Sequence, residues 1–126
     1  MKTDEQEWLN GLSERVIGCA FEVSNVLGIG FLEKVYQRAL ANELNRQQIR
    51  AETEVPAPVI YKGDRVGDYY LDLLVEKRLV IELKCVNGLL NEHTAQVLNY
   101  LRATQLPLAL LLNFKHPRLQ IKRLAL

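Results

Sequence analysis

Cysteine is scarce in this sequence: only Cys19 and Cys85 occur, far apart. That spacing excludes a metal-binding cysteine pair and a CxxC redox motif. Cys19 lies in an apolar helical stretch and Cys85 at the end of an apolar strand. Both read as small buried apolar residues of a reducing compartment, which predicts a cytoplasmic protein. No apolar run is long enough to span a bilayer. The start, Met1-Lys2-Thr3-Asp4-Glu5, is acidic and no apolar segment follows it, so neither a signal peptide nor membrane association is expected. An excess of one charge is also missing: the net charge of +1 declares no polyanionic partner. Repeats, low-complexity tracts and linkers are absent, and 126 residues suit a single domain spanning 1–126.

What is present is an ordered change of hydrophobic period. Thr3 with Gln6 makes a capping box for a first helix. Trp8, Leu9, Leu12, Val16, Ala20, Phe21 and Leu27 keep its spacing, and Gly28 and Gly30 stop it. A second helix over residues 31–47 carries the stripe Leu32, Val35, Tyr36, Ala39, Leu40 and Leu44. Residues 52–61 then alternate and contain Pro56 and Pro58, the mark of an edge strand. After a turn at Gly63-Asp64, strands over 67–75 and 79–85 are joined by a tight turn at Glu76-Lys77-Arg78. Asn91 is the expected N-cap of a third helix that ends near Thr104. Residues 108–113 form a nearly unbroken apolar run that belongs mid-sheet, and 119–124 a half-polar last strand. The order ααβββαββ predicts an α/β fold with a mixed central sheet flanked by helices.

The hairpin turn fixes a register. With Lys77 at its tip, Val75 faces Leu79, Leu73 faces Ile81, Asp72 faces Glu82 and Tyr70 faces Lys84. Faces alternate along each strand. One face then reads Leu71, Leu73, Val75, Leu79, Ile81 and Leu83, wholly apolar; the other reads Tyr70, Asp72, Leu74, Val80, Glu82 and Lys84. Two opposed carboxylates about 5 Å apart repel by roughly 3 kcal/mol at an effective dielectric of about 20. Lys84 relieves one of them in a plain cross-strand ion network. A divalent cation relieves both. Mg²⁺ or Mn²⁺ takes hard oxygen ligands, and Mg²⁺ is usually held by one or two carboxylates plus phosphate oxygens. Lys84 would then stand beside the metal to orient water or stabilise a phosphate transition state.

Other residues converge on this cluster. His93, Gln96 and Tyr100 form a polar stripe on the third helix, and Glu33 and Tyr36 sit three apart on the second. Each alone has a plain reading: Glu33 as a first-turn acid favoured by the helix dipole, His93 as a surface residue, Tyr100 as core. The final stretch holds Lys115, His116, Arg118, Lys122 and Arg123 without an acid, either a solvated edge or a rim that tracks phosphates.

The segment Gly30-Phe31-Leu32-Glu33-Lys34-Val35-Tyr36 resembles the GxxExxY signature of a prokaryotic family placed in the PD-(D/E)XK nuclease superfamily, near the RecB-like nucleases. The likeness continues through Asp72-Leu73-Leu74-Val75, Val80-Ile81-Glu82-Leu83-Lys84 and the run from His93 to Arg102, then Leu111-Leu112-Asn113-Phe114 and Lys122-Arg123. It implies a restriction-endonuclease-like core in which Glu33, Asp72 and Glu82 bind metal and Lys84 assists the chemistry. The RecB-like QxxxY falls on Gln96 and Tyr100, which would shape the site and contact substrate. Leu71 stands where the superfamily often has proline, and Ser24 where the family often has histidine. The function implied is Mg²⁺-dependent hydrolysis of phosphodiester bonds in nucleic acid, with DNA the expected partner. Lys34, Arg38, Lys115, Arg118, Lys122 and Arg123 are the candidate phosphate contacts. The rival reading is a non-catalytic nucleic-acid-binding or assembly module that kept the nuclease core and acts as a homodimer or within a larger complex.

Overall fold

The computed structural model describes residues 3–126. The elements are α1 (Asp4–Leu27), α2 (Glu33–Arg46), β1 (Ala51–Tyr61), β2 (Asp64–Val75), β3 (Leu79–Lys84), α3 (Asn91–Thr104), β4 (Leu108–Asn113) and β5 (Gln120–Leu124). The five strands lie in the order β1-β2-β3-β4-β5, all antiparallel except β3 and β4, which run parallel with α3 as their crossover. The fold is the expected α/β arrangement with a mixed sheet. No helix among the described residues is long and apolar enough to cross a membrane.

Local chemistry explains the boundaries. Gln6 N donates to Thr3 Oγ1 and Thr3 N to Gln6 Oε1, the expected capping box. Gly28 and Gly30 end α1 with φ of 71° and 102°, a region that favours glycine. α2 begins at Glu33, so Leu32 is its N-cap and is exposed rather than part of the buried stripe. Trp8 and Phe21 are also largely exposed, because α1 has the sheet and α2 on one side only; Leu9, Leu12, Val16, Cys19, Ala20 and Val23 make its buried face. α3 starts at Asn91, not after it. Its cap is supplied by His93, whose Nδ1 accepts from Leu90 N at 2.9 Å.

Two apolar layers sandwich the sheet. α1 and α2 pack on Leu73, Val75, Leu79, Ile81, Leu83, Leu110 and Leu112. α3 packs through Val97 and Leu101 on Val80, Ala109, Leu111 and Leu71. β4 is buried along its whole length between them, as its apolar run requires. β1 is an edge strand, where its two prolines remove no ladder bond.

One register expectation fails, and it fails at the site. Leu71 packs in the α3 layer, not beside Leu73. Strict alternation along β2 breaks at Asp72. Opposite it in β1, Glu54 takes a left-handed φ of 52°, and the regular pairing skips from Thr53↔Leu73 to Val55↔Leu71. Such a break bends and twists the pair. On the other side the β2–β3 pairs run only from Val75↔Leu79 to Leu73↔Ile81. Tyr70 therefore does not meet Lys84 across the ladder, and lies half exposed.

Candidate active site

Where the β2–β3 ladder stops, side chains take over its hydrogen bonds. Asp72 N donates to Glu82 Oε1 at 2.9 Å, and Leu83 N donates to Asp72 Oδ2 at 2.9 Å. The expected juxtaposition of Asp72 and Glu82 is present. Each carboxyl is wedged into the opening between the strands and has one oxygen held by a backbone amide. The amides engage only Glu82 Oε1 and Asp72 Oδ2, and the two carboxyl groups also hydrogen-bond each other. Glu82 is only 3% exposed. Its place on β3 follows from alternation: Leu79, Ile81 and Leu83 turn to α1 and α2, while Val80, Glu82 and Lys84 turn to the α3 side.

Electrostatics report a crowded pair. Burial first, and then the Asp72 charge, push Glu82 up to about 9. Burial also raises Asp72, against the amide of Leu83 and the Lys84 ammonium, which lower it. With nothing else in the pocket, the pair therefore holds a proton near neutrality. Lys84 Nζ donates to Gln96 Oε1 at 3.0 Å, which ties the ammonium to α3. Tyr100 is 7% exposed, and its hydroxyl is pushed up to about 12 by burial and then by Glu82 and Asp72. It is a neutral phenol beside the acids. Sequence expectation and structure thus bring Asp72, Glu82, Lys84, Gln96 and Tyr100 to one place.

Glu33 arrives from the other layer. It is the first residue of α2, and partial burial followed by the nearby Asp72 charge raises its carboxyl. The GxxExxY segment explains how it is aimed. Tyr36 is 1% exposed, donates its hydroxyl to Gly28 O at 2.7 Å, and stacks on Phe114 with ring centroids 4.8 Å apart. Phe114 N in turn donates to Lys84 O at 2.9 Å. The tyrosine pins the glycine turn and the start of α2 to the ends of β3 and β4. Glu33 stays at the rim: among the described residues no three His, Cys, Asp or Glu side chains close into a metal-binding cluster.

Could this donor set hold a divalent ion? Two half-engaged carboxylates of hard oxygen, buried and repelling, fit a Mg²⁺-type ion that keeps several waters and completes its shell from substrate. They do not fit a closed structural zinc site, which needs four protein donors of nitrogen or sulfur type.

Two residues that sequence reasoning passed over support the site. Gln37 is 4% exposed; its Nε2 donates to Asp72 O at 3.1 Å and to Glu54 Oε1 at 2.9 Å. Glu54, also paired with Lys34, lies opposite Asp72, and its negative charge joins burial in raising the Asp72 carboxyl. A polar residue inside an apolar helical stripe was the available signal for Gln37. Gln37→Leu should lower stability by about 1–3 kcal/mol, because the Asp72 carbonyl inside the sheet loses its donor; a urea-denaturation midpoint would measure it.

The basic residues divide. Lys115 and Arg118 are exposed in the β4–β5 connection; burial and then Glu33 push the Cys85 thiol up, and Lys115 is near enough to oppose them. Lys122 turns to the α3 side, with Nζ 3.4 Å from Thr94 Oγ1. Lys34 and Arg38 lie exposed on α2. Arg123 is not brought to the site. Its guanidinium binds Ser13 Oγ at 2.9 Å and Asn10 Oδ1, holding β5 to α1.

Comparison with known proteins agrees with this geometry at the level of family. Neither the curated proteins nor the solved structures searched contain a match. A family model described as the PD-(D/E)XK nuclease superfamily matches residues 10–124, nearly the whole chain, and takes in all five residues gathered at the strand opening together with Glu33. The chain belongs to the PD-(D/E)XK nuclease superfamily.

Proposed function

We propose that this chain is a divalent-metal-dependent phosphodiesterase that hydrolyses DNA, folded as one domain, and that within its superfamily it groups with the GxxExxY proteins. The observation that carries the reading is the buried Asp72–Glu82 pair with the Lys84 ammonium alongside. Superfamily membership supports it, since PD-(D/E)XK nucleases generally use divalent ions.

Asp72 and Glu82 would hold the ion, with Glu33 beside them at the rim as a further carboxylate. When bound, Mg²⁺ or Mn²⁺ supplies Lewis-acid polarisation of the scissile phosphate and a lowered pKa for a bound water. Lys84 is kept in place by Gln96 and donates to charge developing on the phosphoryl oxygens. Tyr100, a neutral phenol, donates to a substrate oxygen without bringing charge of its own. Lys34, Arg38, Lys115, Arg118 and Lys122 would contact flanking phosphates. Arg123 is left out of that set because its bonds to Ser13 and Asn10 hold it on the α1 side, away from the acids.

The test separates metal binding from chemistry. Lys84→Met keeps both carboxylates and removes the ammonium. Its melting temperature should still rise with Mn²⁺, as a ligand-linked folded state requires. Its Mg²⁺-dependent cleavage of DNA should fall about 100- to 1,000-fold, the size of losing one transition-state donor. Cleavage at the wild-type rate would remove Lys84 from the mechanism. A wild-type protein that binds DNA but shows neither cleavage nor a Mn²⁺ shift would instead be the non-catalytic module.

A further inference from the structure

A cavity of about 820 Å³ lies between α3 and the outer half of the β1–β2 hairpin. It is continuous with the candidate active site, because Gln96 and Tyr100 line it and also meet Lys84 and the carboxylates. The opposite wall includes Ile60 and Tyr69, which are 58% and 50% exposed. Tyr69 leans on Tyr100 with ring centroids 5.7 Å apart at 52°, so one ring edge is supported while the rest is open to the groove. Farther along α3, Arg102 donates to Asn99 Oδ1 at 2.8 Å, and among the described residues Asn99 Nδ2 has no partner.

This chemistry differs from that of a phosphate channel. The groove offers an open aromatic face, an aliphatic neighbour and amide groups, with one arginine and Glu92 as its charges. A planar heteroaromatic ring with polar edges matches that set. Bases in a duplex are stacked on one another and show only their edges, so a side chain can stack only on a base that is unpaired. The volume lies within the usual range for small-molecule pockets, about 300–1,000 Å³. A mainly apolar peptide would leave the Asn99 amide nitrogen without a partner.

We propose that this groove receives an unpaired base of single-stranded DNA, stacked on Tyr69 and read by Asn99, next to the phosphodiester that Asp72 and Glu82 would act on. The position of that phosphodiester rests on the nuclease reading above; the base subsite itself does not, and can be tested by binding alone. It selects frayed ends, gaps and single strands over intact duplex.

The experiment compares two labelled 12-nucleotide strands, one carrying bases and one built from abasic sites, with Ca²⁺ in place of Mg²⁺. Wild-type protein should bind the base-bearing strand about five- to a hundredfold more tightly, the usual worth of one stacked base. Tyr69→Ala should erase that preference without changing affinity for the abasic strand, and Tyr69→Trp should keep it. Equal affinity of wild-type protein for both strands, or an unchanged preference in Tyr69→Ala, would overturn the proposal. Failure of the nuclease reading looks different: the preference for bases persists while Mg²⁺ drives no cleavage and Mn²⁺ leaves the melting temperature unmoved.

Discussion

Asp72→Asn is expected to abolish Mg²⁺-dependent DNA cleavage, with a fall of about a thousandfold or more, while the protein stays folded. The choice of asparagine matters. Leu83 N donates to Asp72 Oδ2, and alanine would leave that amide without its acceptor inside the strand opening. Asparagine keeps an acceptor oxygen at the same reach. What it removes is the charge and one ligand oxygen of a two-carboxylate site, and a hard divalent ion is held by little else there. The loss should therefore extend to binding: the Mn²⁺-induced rise in melting temperature should vanish with the activity. That double loss distinguishes Asp72→Asn from Lys84→Met, which loses chemistry alone. Cleavage assays and thermal melts on the two variants check both halves.

A second large effect concerns stability and pH. Glu82 titrates near its ordinary value in the unfolded chain and at about 9 when folded without metal. The folded state then holds a proton that the unfolded state has lost, throughout the window from about 4.5 to 9. Stability falls with pH wherever the folded state binds more protons. The contribution is full below about 4.5 and is gone once pH passes about 9. A tenfold difference in proton affinity between the two states is worth about 1.4 kcal/mol, so the metal-free protein should lose roughly 3–6 kcal/mol across the window. Glu82→Gln, which cannot ionise, should flatten the curve and make the metal-free protein more stable than wild type at pH 8. Saturating Mg²⁺ should oppose the decline in wild type, and most strongly at high pH, where no proton competes for the oxygens. Urea denaturation at a series of pH values, with EDTA and with Mg²⁺, reads all three curves. A wild-type curve that rises from pH 5 to 9 in EDTA would contradict the buried protonated pair.

Much of this was legible in the sequence because local rules governed it. The period of the helices, the two prolines of the edge strand and the apolar run of residues 108–113 each have one sensible structural answer. The turn after Val75 set the register, and that register brought Asp72 to Glu82. The misreadings share a cause. Strict alternation put Leu71 on the wrong layer and Tyr70 opposite Lys84, because a single left-handed residue, Glu54, bends the neighbouring strand just where the acids sit. Nothing in the type of residue 54 announces a positive φ. Gln37 and the β-hairpin wall that carries Tyr69 were also missed. Their roles come from packing between elements distant in the chain, which periodicity does not encode. Arg123 shows the converse: charge composition grouped it with the other basic residues of the tail, but its alternate position on β5 turns it to α1.

The most direct measurement is a crystal of the wild-type protein soaked in Mn²⁺ and examined by anomalous scattering at the manganese edge. A peak between the side chains of Asp72 and Glu82, lost in Asp72→Asn, is the predicted result. Saturating Mn²⁺ with no peak there, and the two carboxyl groups still bridged to each other alone, would contradict the claim that this strand opening is built to hold a divalent ion.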